Sequence, residues 1–136
     1  MSARQYKIAI GTIHADIIGM QPTVKDLLDF VMANKGDKCF QGQDSSTILR
    51  YLIECLDNNA LYYETDLEGR INGMILARFD HTRKVAFVME NLAMSLERLG
   101  RFATKLHKEH PDYNIEAYRH GHPVKINTNK LISKLL

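Results

Sequence analysis

The sequence is poor in cysteine and has no long apolar run. Only Cys39 and Cys55 occur in 136 residues, which gives neither a disulfide framework nor a CxxC metal pair. No window approaches the ~18 consecutive apolar residues of a membrane span, and the opening MSARQYKIAIGT lacks the apolar core of a signal peptide. We therefore expect no membrane partner, and a cytoplasmic protein or one built into an intracellularly assembled particle.

An excess of charge of one sign is also missing, since 18 basic and 16 acidic residues give a net charge of +2. The charges are nevertheless unevenly distributed. Residues 98–136 carry eight basic and three acidic side chains, so this part sums to +5 and residues 1–97 sum to −3. Such asymmetry suits an anionic ligand, a nucleic acid or an acidic protein partner, and a solvated basic face is the commonest alternative. Aromatic residues do not recur among the basic ones, so single-strand stacking is not indicated and nucleic acid ranks last.

Hydrophobic periodicity and capping residues predict one α+β domain covering residues 1–136. Two helices precede a three-strand antiparallel meander, which is followed by a third helix and another strand. The meander strand that starts at Lys84 ends at Met94. The other expected elements are a strand at Tyr6–Thr12, helices at Val24–Asn34 and Thr47–Asp57, strands at Ala60–Thr65 and Ile71–Phe79, a helix at Leu96–His110, a strand at Tyr113–Arg119, a short Val124–Ile126 segment and a terminal helix at Asn129–Leu136.

The stretch Lys84–Leu106 is the most informative. Its apolar strand is followed by a turn-like segment, Ser95–Arg101, and then by a helix. Backbone N–H groups at such a junction often hold anionic ligands. Along the strand, strict alternation predicts that Val88, Glu90 and Leu92 share one face.

This element order resembles the GCN5-related N-acetyltransferase (GNAT) fold over roughly Tyr6–Ile126. The best local matches are the hairpin Glu68–Gly73 and the strand-loop-helix after it. The resemblance implies an α+β, three-layer fold with a mixed sheet, an antiparallel meander, splayed fourth and fifth strands and flanking helices. It also implies acetyl-CoA or another acyl-CoA as cofactor, no metal, and an amine acceptor that is a small molecule or a protein.

In that family a pyrophosphate loop follows the fourth strand and carries a basic or amide residue, alternating glycines and then a helix. Arg98 fits the basic position, whereas Leu99 and Arg101 occupy glycine positions and Gly100 is one residue out of register. Their bulk lies where a backbone should approach phosphate, although Arg101 could supply charge instead. If the enzyme interpretation holds, the Gly100 and Arg101 amides should face the pyrophosphate. The cofactor contacts that the resemblance implies are Leu92, Ala93, Met94, Arg98, Leu99, Gly100, Arg101, Phe102 and Ala103.

Acyl transfer to an amine needs a base and a donor that polarises the thioester carbonyl. Glu90 is the candidate general base, and its alternative is an exposed carboxylate on an alternating strand. Tyr118 is the candidate general acid, and its alternative is a core aromatic whose hydroxyl reaches the surface. A zinc site made of the pairs His107/His110 and His120/His122 is less favoured than a solvated surface, so no metal is expected.

The C-terminal half also resembles toxin-activating lysine acyltransferases and compact phage-encoded acetyltransferase-like proteins. The matching features are Glu90, the glycine-poor loop Met94–Gly100, the helix through Lys108 to Pro111, and the strand Ile115–Arg119. The catalytic histidine of the toxin-activating enzymes has no counterpart here. Three hypotheses follow: an acyl-CoA N-acyltransferase, a catalytically silent binding or structural module (for example in a virion) with a protein partner or self-association, and a nucleic-acid-associated protein.

Overall fold

The computed structural model describes residues 7–10, 22–36, 39–40, 42–119 and 122–125. In chain order, the elements are β1 (Lys7–Ile10), α1 (Val24–Asn34), α2 (Ser45–Asp57), β2 (Leu61–Thr65), β3 (Ile71–Asp80), β4 (Val85–Leu92), α3 (Leu96–Glu109), β5 (Asn114–Arg119) and β6 (His122–Lys125). The α+β prediction is confirmed. The expected terminal helix Asn129–Leu136 lies outside the described residues.

All six strands form one mixed sheet in the order β1-β2-β3-β4-β5-β6. Neighbouring strands are antiparallel except β4 and β5, which run parallel and are connected through α3. The predicted meander is therefore present as β2-β3-β4. Parallel strands need a crossover connection, and α3 supplies it.

Side-chain caps set where the first two helices begin. The Thr23 hydroxyl accepts a hydrogen bond from the Asp26 amide at 3.2 Å, and the Asp26 carboxylate accepts one from the Thr23 amide at 2.8 Å. This reciprocal pair is a capping box, and it confirms the predicted start of α1. Helix α2 begins at Ser45, earlier than the predicted Thr47, because Asp44 is its N-cap and accepts from the Thr47 amide at 2.9 Å.

Helices α1 and α2 pack on one face of the sheet. Their buried residues include Leu27, Val31, Ile48, Leu52 and Cys55, which join Tyr63, Met74, Leu76 and Leu92 of the strands. Two large apolar residues of these helices, Met32 and Ile53, are each 43% exposed. Each lies five positions after a buried residue of its own helix, and a 3.6-residue period carries that position well off the buried stripe.

Helix α3 packs on the opposite face. Its Phe102 and Leu106 meet Tyr62, Ile75, Ala86, Val88 and Ile115 in a second cluster of buried residues. Because apolar side chains cover both faces, the centre of the sheet is shielded from water on both sides.

A β-bulge in β4 reverses the side-chain direction at the end of the strand. Val88 is opposite Ala77 and Glu90 is opposite Leu76, so Met89 is an extra residue in the ladder. Val88 belongs to the core under α3, whereas Leu92 belongs to the core under α1 and α2. The prediction that Val88, Glu90 and Leu92 share one face is wrong, because strict alternation holds only in an unbulged strand.

Candidate functional site

The junction between β4 and α3 is short. Only Ala93, Met94 and Ser95 separate the two elements. Ser95 is the N-cap: its hydroxyl accepts from the Arg98 amide at 3.1 Å, and its carbonyl accepts from the Leu99 amide at 3.0 Å. The predicted helix start at Leu96 is therefore confirmed, and the interpretation of Ser95–Arg101 as a turn-like segment ahead of the helix is wrong. The serine cap just ahead of an amphipathic segment was the sequence signal for this start.

This early start changes which amides are free for a ligand. The amides of Gly100 and Arg101 belong to the hydrogen-bond ladder of α3, so they do not face a pyrophosphate as the resemblance implied. The Arg98 amide is bonded to the Ser95 side chain. The first two amides of the helix, those of Leu96 and Glu97, have no intrahelical partner, because no helical carbonyl lies four residues before them.

The connection itself is a tight turn. Met94 has a φ of 70°, in the left-handed region that non-glycine residues rarely adopt, and its side chain is 54% exposed. The Ala93 amide donates to the Asn91 side-chain oxygen at 3.0 Å, which fixes the end of β4. The chain thus turns from strand to helix without the glycines of the family pattern.

Arg101 is engaged by a buried carboxylate. Its Nε and Nη2 donate to the two carboxylate oxygens of Glu64 at 2.8 and 2.6 Å, and its Nη1 donates to Glu97 at 2.9 Å. Glu64 lies in β2 and is fully buried. The bond to Glu64 is the main cause that raises the pKa of Arg101. This geometry is the planar bidentate pairing that guanidinium groups favour, so the Arg101 charge is directed into the protein.

Arg98 runs beside the same carboxylate, with its Nε 3.8 Å from a Glu64 oxygen, which is too long for a hydrogen bond. Within the described part of the chain, this buried Nε has no hydrogen-bond partner. The Arg98 side chain crosses Gly73 of β3 so closely that a Cβ there would lie 3.0 Å from Arg98 Cδ. The sequence patterns above did not single out Glu64, although it is the one charged residue of the strand ALYYET, which is otherwise mostly apolar and aromatic.

Glu90 is half-buried rather than exposed, and it lies beside the segment that contains Cys39 and Phe40. Burial raises the pKa of Glu90, while hydrogen bonds from the Cys39 side chain and the Phe40 backbone act in the opposite direction. The pKa of the Cys39 thiol is also raised, first by burial and then by the Glu90 charge. The Cys39 thiol is 3.8 Å from the Asn91 carbonyl oxygen. A carboxyl group with a raised pKa is better suited to accept a proton near neutral pH.

A cleft of about 630 Å³ lies next to this carboxylate, which we call the α3 cleft. It is bounded by the end of α1, the end of β4 and the start of α3. Its lining residues are Asn34, Lys35, Gly36, Cys39, Asn91, Leu92, Met94, Ser95, Leu96 and Leu99. Three of the predicted cofactor contacts, Leu92, Met94 and Leu99, are therefore brought together.

The other predicted contacts lie elsewhere. Ala93, Gly100, Phe102 and Ala103 are buried, and Phe102 is fully enclosed in the core beneath α3. These positions face packed protein and not the α3 cleft, because the three that belong to α3 lie on its buried face.

Tyr118 lies in β5, opposite Pro123 of β6. The parallel pairing of β4 with β5 runs from Val85 and Asn114 to Val88 and Ala117. Tyr118 and Glu90 thus both follow the last paired residues of neighbouring strands. The role of Tyr118 as a general acid stays a prediction.

Among the residues described, no group of three or more His, Cys, Asp and Glu side chains is placed to hold a metal ion. His107 is exposed, whereas the His110 ring packs on Phe79 with 4.4 Å between centroids. The side chains of His120 and His122 lie outside the described part. None of the described helices is long and apolar enough to cross a bilayer.

Comparison with known proteins adds no relative. No family model matches the sequence, and no curated protein shows significant similarity to it.

Proposed function

We propose that the chain is an acyl-CoA N-acyltransferase-like protein of the GNAT type, in which Glu90 acts as the general base. The single observation that carries the proposal is the position of Glu90: a half-buried carboxylate with a raised pKa, directly after the β4 bulge and in contact with Cys39 of the α3 cleft. Perturbed carboxylates next to clefts are typical of functional sites.

The splayed fourth and fifth strands of such a fold belong to this proposal. What supports them is that β4 continues to Leu92, four residues beyond its last pair with β5 at Val88. A bulge at the same place strengthens the local twist and bends the strand. An acyl chain would lie between the strands where their pairing has ended.

The phosphate groups of the cofactor would bind the start of α3 through different residues from those that the family pattern implies. Arg98 and Arg101 face Glu64, so they are poor candidates for phosphate ligands. The amides of Leu96 and Glu97 remain, at the positive end of the α3 dipole. The apolar part of the cofactor would then contact Leu92, Met94 and Leu99.

The chemical step follows from these positions. The acceptor amine attacks the thioester carbonyl carbon, its proton passes to the Glu90 carboxylate, and the C–S bond breaks to release the CoA thiolate. Tyr118 would protonate that thiolate. A base at Glu90 removes the positive charge that develops on the attacking nitrogen.

Calorimetric titration with acetyl-CoA tests the proposal. We expect binding below millimolar ligand. Leu96→Glu should weaken it about tenfold or more, because the new carboxylate would lie beside the phosphate-binding amides. Leu96→Gln is the matched control and should bind as the unmodified protein does, since it adds no charge and Leu96 is exposed. Leu96→Glu should still fold, because an acidic side chain is favourable at a helix N-terminus. If acetyl-CoA does not bind at millimolar concentration, the proposal that the chain is an acyl-CoA acyltransferase is refuted.

A separate variant tests the base. Glu90→Gln should keep the affinity for acetyl-CoA and lose acyl transfer to amines, whereas Asp57→Asn, on the exposed end of α2, should keep both. Equal transfer rates in the two variants would show that Glu90 is not the base.

The second candidate is a catalytically silent module of the same fold, for instance in a virion. The observation that favours it is the engagement of Arg101 by Glu64, which removes a cation from the expected phosphate site. A silent module would leave acetyl-CoA unbound in the titration above, and sedimentation analysis would then test self-association. The nucleic-acid hypothesis is weakened by the same contact, because two of the eight basic residues of the C-terminal part face a buried carboxylate.

A further inference from the structure

A second cleft, of about 510 Å³, lies between α2 and strands β3 and β4, and we call it the α2 cleft. It shares no lining residue with the α3 cleft. Its size falls within the range of small-molecule sites, which is about 300–1,000 Å³. The α2 cleft plays no part in the function proposed above.

Two opposite charges line this cleft from different elements. Glu54 belongs to α2 and Arg78 to β3, and both residues are exposed. In the described part of the chain, neither side chain forms a salt bridge, with the other or with any third group. A cleft that offers an unpaired carboxylate and an unpaired guanidinium is complementary to a ligand that carries an ammonium and a carboxylate.

Neutral groups line the interior between them. Tyr51 is half-buried and packs edge-on against Phe40, with 5.7 Å between ring centroids. Burial raises the pKa of Tyr51, and it raises the pKa of Cys55 to about 12, so phenol and thiol are both uncharged at neutral pH. The charges of Glu90 and Glu54 raise the pKa of the same phenol, and the charge of Arg78 lowers it.

Apolar surface completes the cleft. Ala60, Ala77 and Met89 contribute to its lining, and Met89 is the bulged residue of β4. A ligand with a compact apolar side chain would cover this surface while its charged groups contact Glu54 and Arg78.

We propose that the α2 cleft binds a small zwitterion, a free amino acid, with its ammonium at Glu54 and its carboxylate at Arg78. The Tyr51 hydroxyl would donate a hydrogen bond to the ligand carboxylate. The proposal does not depend on acyl-CoA binding, because the two clefts are separate.

Three probes that differ in one charge each provide the test, by NMR titration of the backbone amides. L-leucine carries both charges, N-acetyl-L-leucine lacks the ammonium, and L-leucinamide lacks the carboxylate. We expect L-leucine to bind at millimolar concentration, to shift amides of Tyr51–Cys55 and Ala77–Phe79, and to bind about tenfold or more tightly than either derivative, because each derivative loses one charge-assisted contact.

Two variants assign the charges. Glu54→Gln should remove the preference for L-leucine over N-acetyl-L-leucine, and Arg78→Gln should remove the preference over L-leucinamide. Asp57→Asn and Arg50→Gln are the controls, since both residues are exposed on α2 and outside the cleft lining. The proposal is overturned if L-leucine does not bind at millimolar concentration, if its shifts map to the α3 cleft, or if either lining variant keeps the charge preference.

Discussion

At the scale of single residues, Glu64 is the most constrained charge in the described structure. It is fully buried in β2, and its two carboxylate oxygens are held by Arg101. Removing an ionised carboxylate from water costs several kcal/mol, which only a well-formed partner offsets. The burial of Glu64 therefore makes the pair with Arg101 necessary for stability. Loss of the pair should lower the free energy of unfolding of the whole domain.

Removal of one partner should therefore be costly. Arg101→Met leaves Glu64 buried beside Arg98 alone and should lower the free energy of unfolding by about 3–5 kcal/mol. Glu64→Met/Arg101→Met should recover most of this loss, because the fully buried carboxylate that needs Arg101 is then absent. Urea denaturation measures both. Lys25→Met breaks the exposed pair with Asp29 and should cost less than about 1 kcal/mol; an equal cost for Arg101→Met would contradict the assigned role.

Glu90 gives stability a pH dependence of defined sign. Its pKa in the folded protein is raised above the ordinary value of 4.5, so the folded state binds more protons than the unfolded one between these two pKa values. Stability is lost as the pH rises through that window. The Glu90→Gln variant cannot titrate at this position. Its free energy of unfolding should therefore rise relative to that of the unmodified protein as the pH increases from 4.5 to neutrality. Urea unfolding at both ends of the window measures this, and parallel pH profiles would contradict it.

At the scale of elements, β3, the end of β4 and α3 converge on Gly73. A Cβ at this position would lie 2.8 Å from the Ala93 carbonyl oxygen and 3.0 Å from Arg98 Cδ. The first of these atoms belongs to the backbone, which cannot move aside cheaply. The absence of a side chain at Gly73 thus allows α3 to start directly against the sheet.

Gly73→Ala should accordingly destabilise the protein by about 1–3 kcal/mol, the usual range for overpacking a fitted site. The double variant Gly73→Ala/Arg98→Ala relieves the contact with Arg98 Cδ but not the contact with the Ala93 oxygen. Its loss should therefore be smaller than the sum of the two single losses, without reaching zero. Thermal denaturation of the three variants gives these values; strict additivity would show that Arg98 does not press on Gly73.

Local signals predicted the elements but not the contacts between them. The capping box of Thr23 and Asp26 and the β2-β3 hairpin can be inferred from neighbouring residues. The Met89 bulge and the Glu64–Arg101 pair depend on partners far along the chain, which periodicity cannot reveal. At the candidate site, the sequence pointed to Glu90 as a candidate base but did not predict that it is half-buried. The bulge at Met89 decides which face of the sheet Glu90 occupies.

At the scale of the whole molecule, two cores share one sheet. Ile48 is buried with α1 and α2, and Ile115 is buried with α3 on the other face. The strands between them contribute alternate residues to both cores. We expect a single cooperative unfolding transition, because neither core can lose its sheet without exposing the other.

Mild truncations on the two faces test this coupling. Ile48→Val and Ile115→Val should each lower the free energy of unfolding by about 0.5–1.5 kcal/mol. The double variant should show the sum to within about 0.5 kcal/mol, because the two residues belong to separate clusters on opposite faces of the sheet. Urea denaturation followed by fluorescence and by circular dichroism should give coincident transitions. Separate midpoints for the two signals would indicate two folding units.

The buried charge pair also has a consequence for a cleaved chain. Glu64 precedes the exposed β3-β4 turn around Thr82, and Arg101 follows it. A cut at Thr82 would give each fragment one member of the pair. Either fragment, if it folded alone, would have to bury a charge without its partner or leave that charge exposed to water. Mixed together, the fragments would regain the pair along with the β3-β4 ladder. The pair thus makes the folding of each half conditional on the presence of the other, as in fragment complementation.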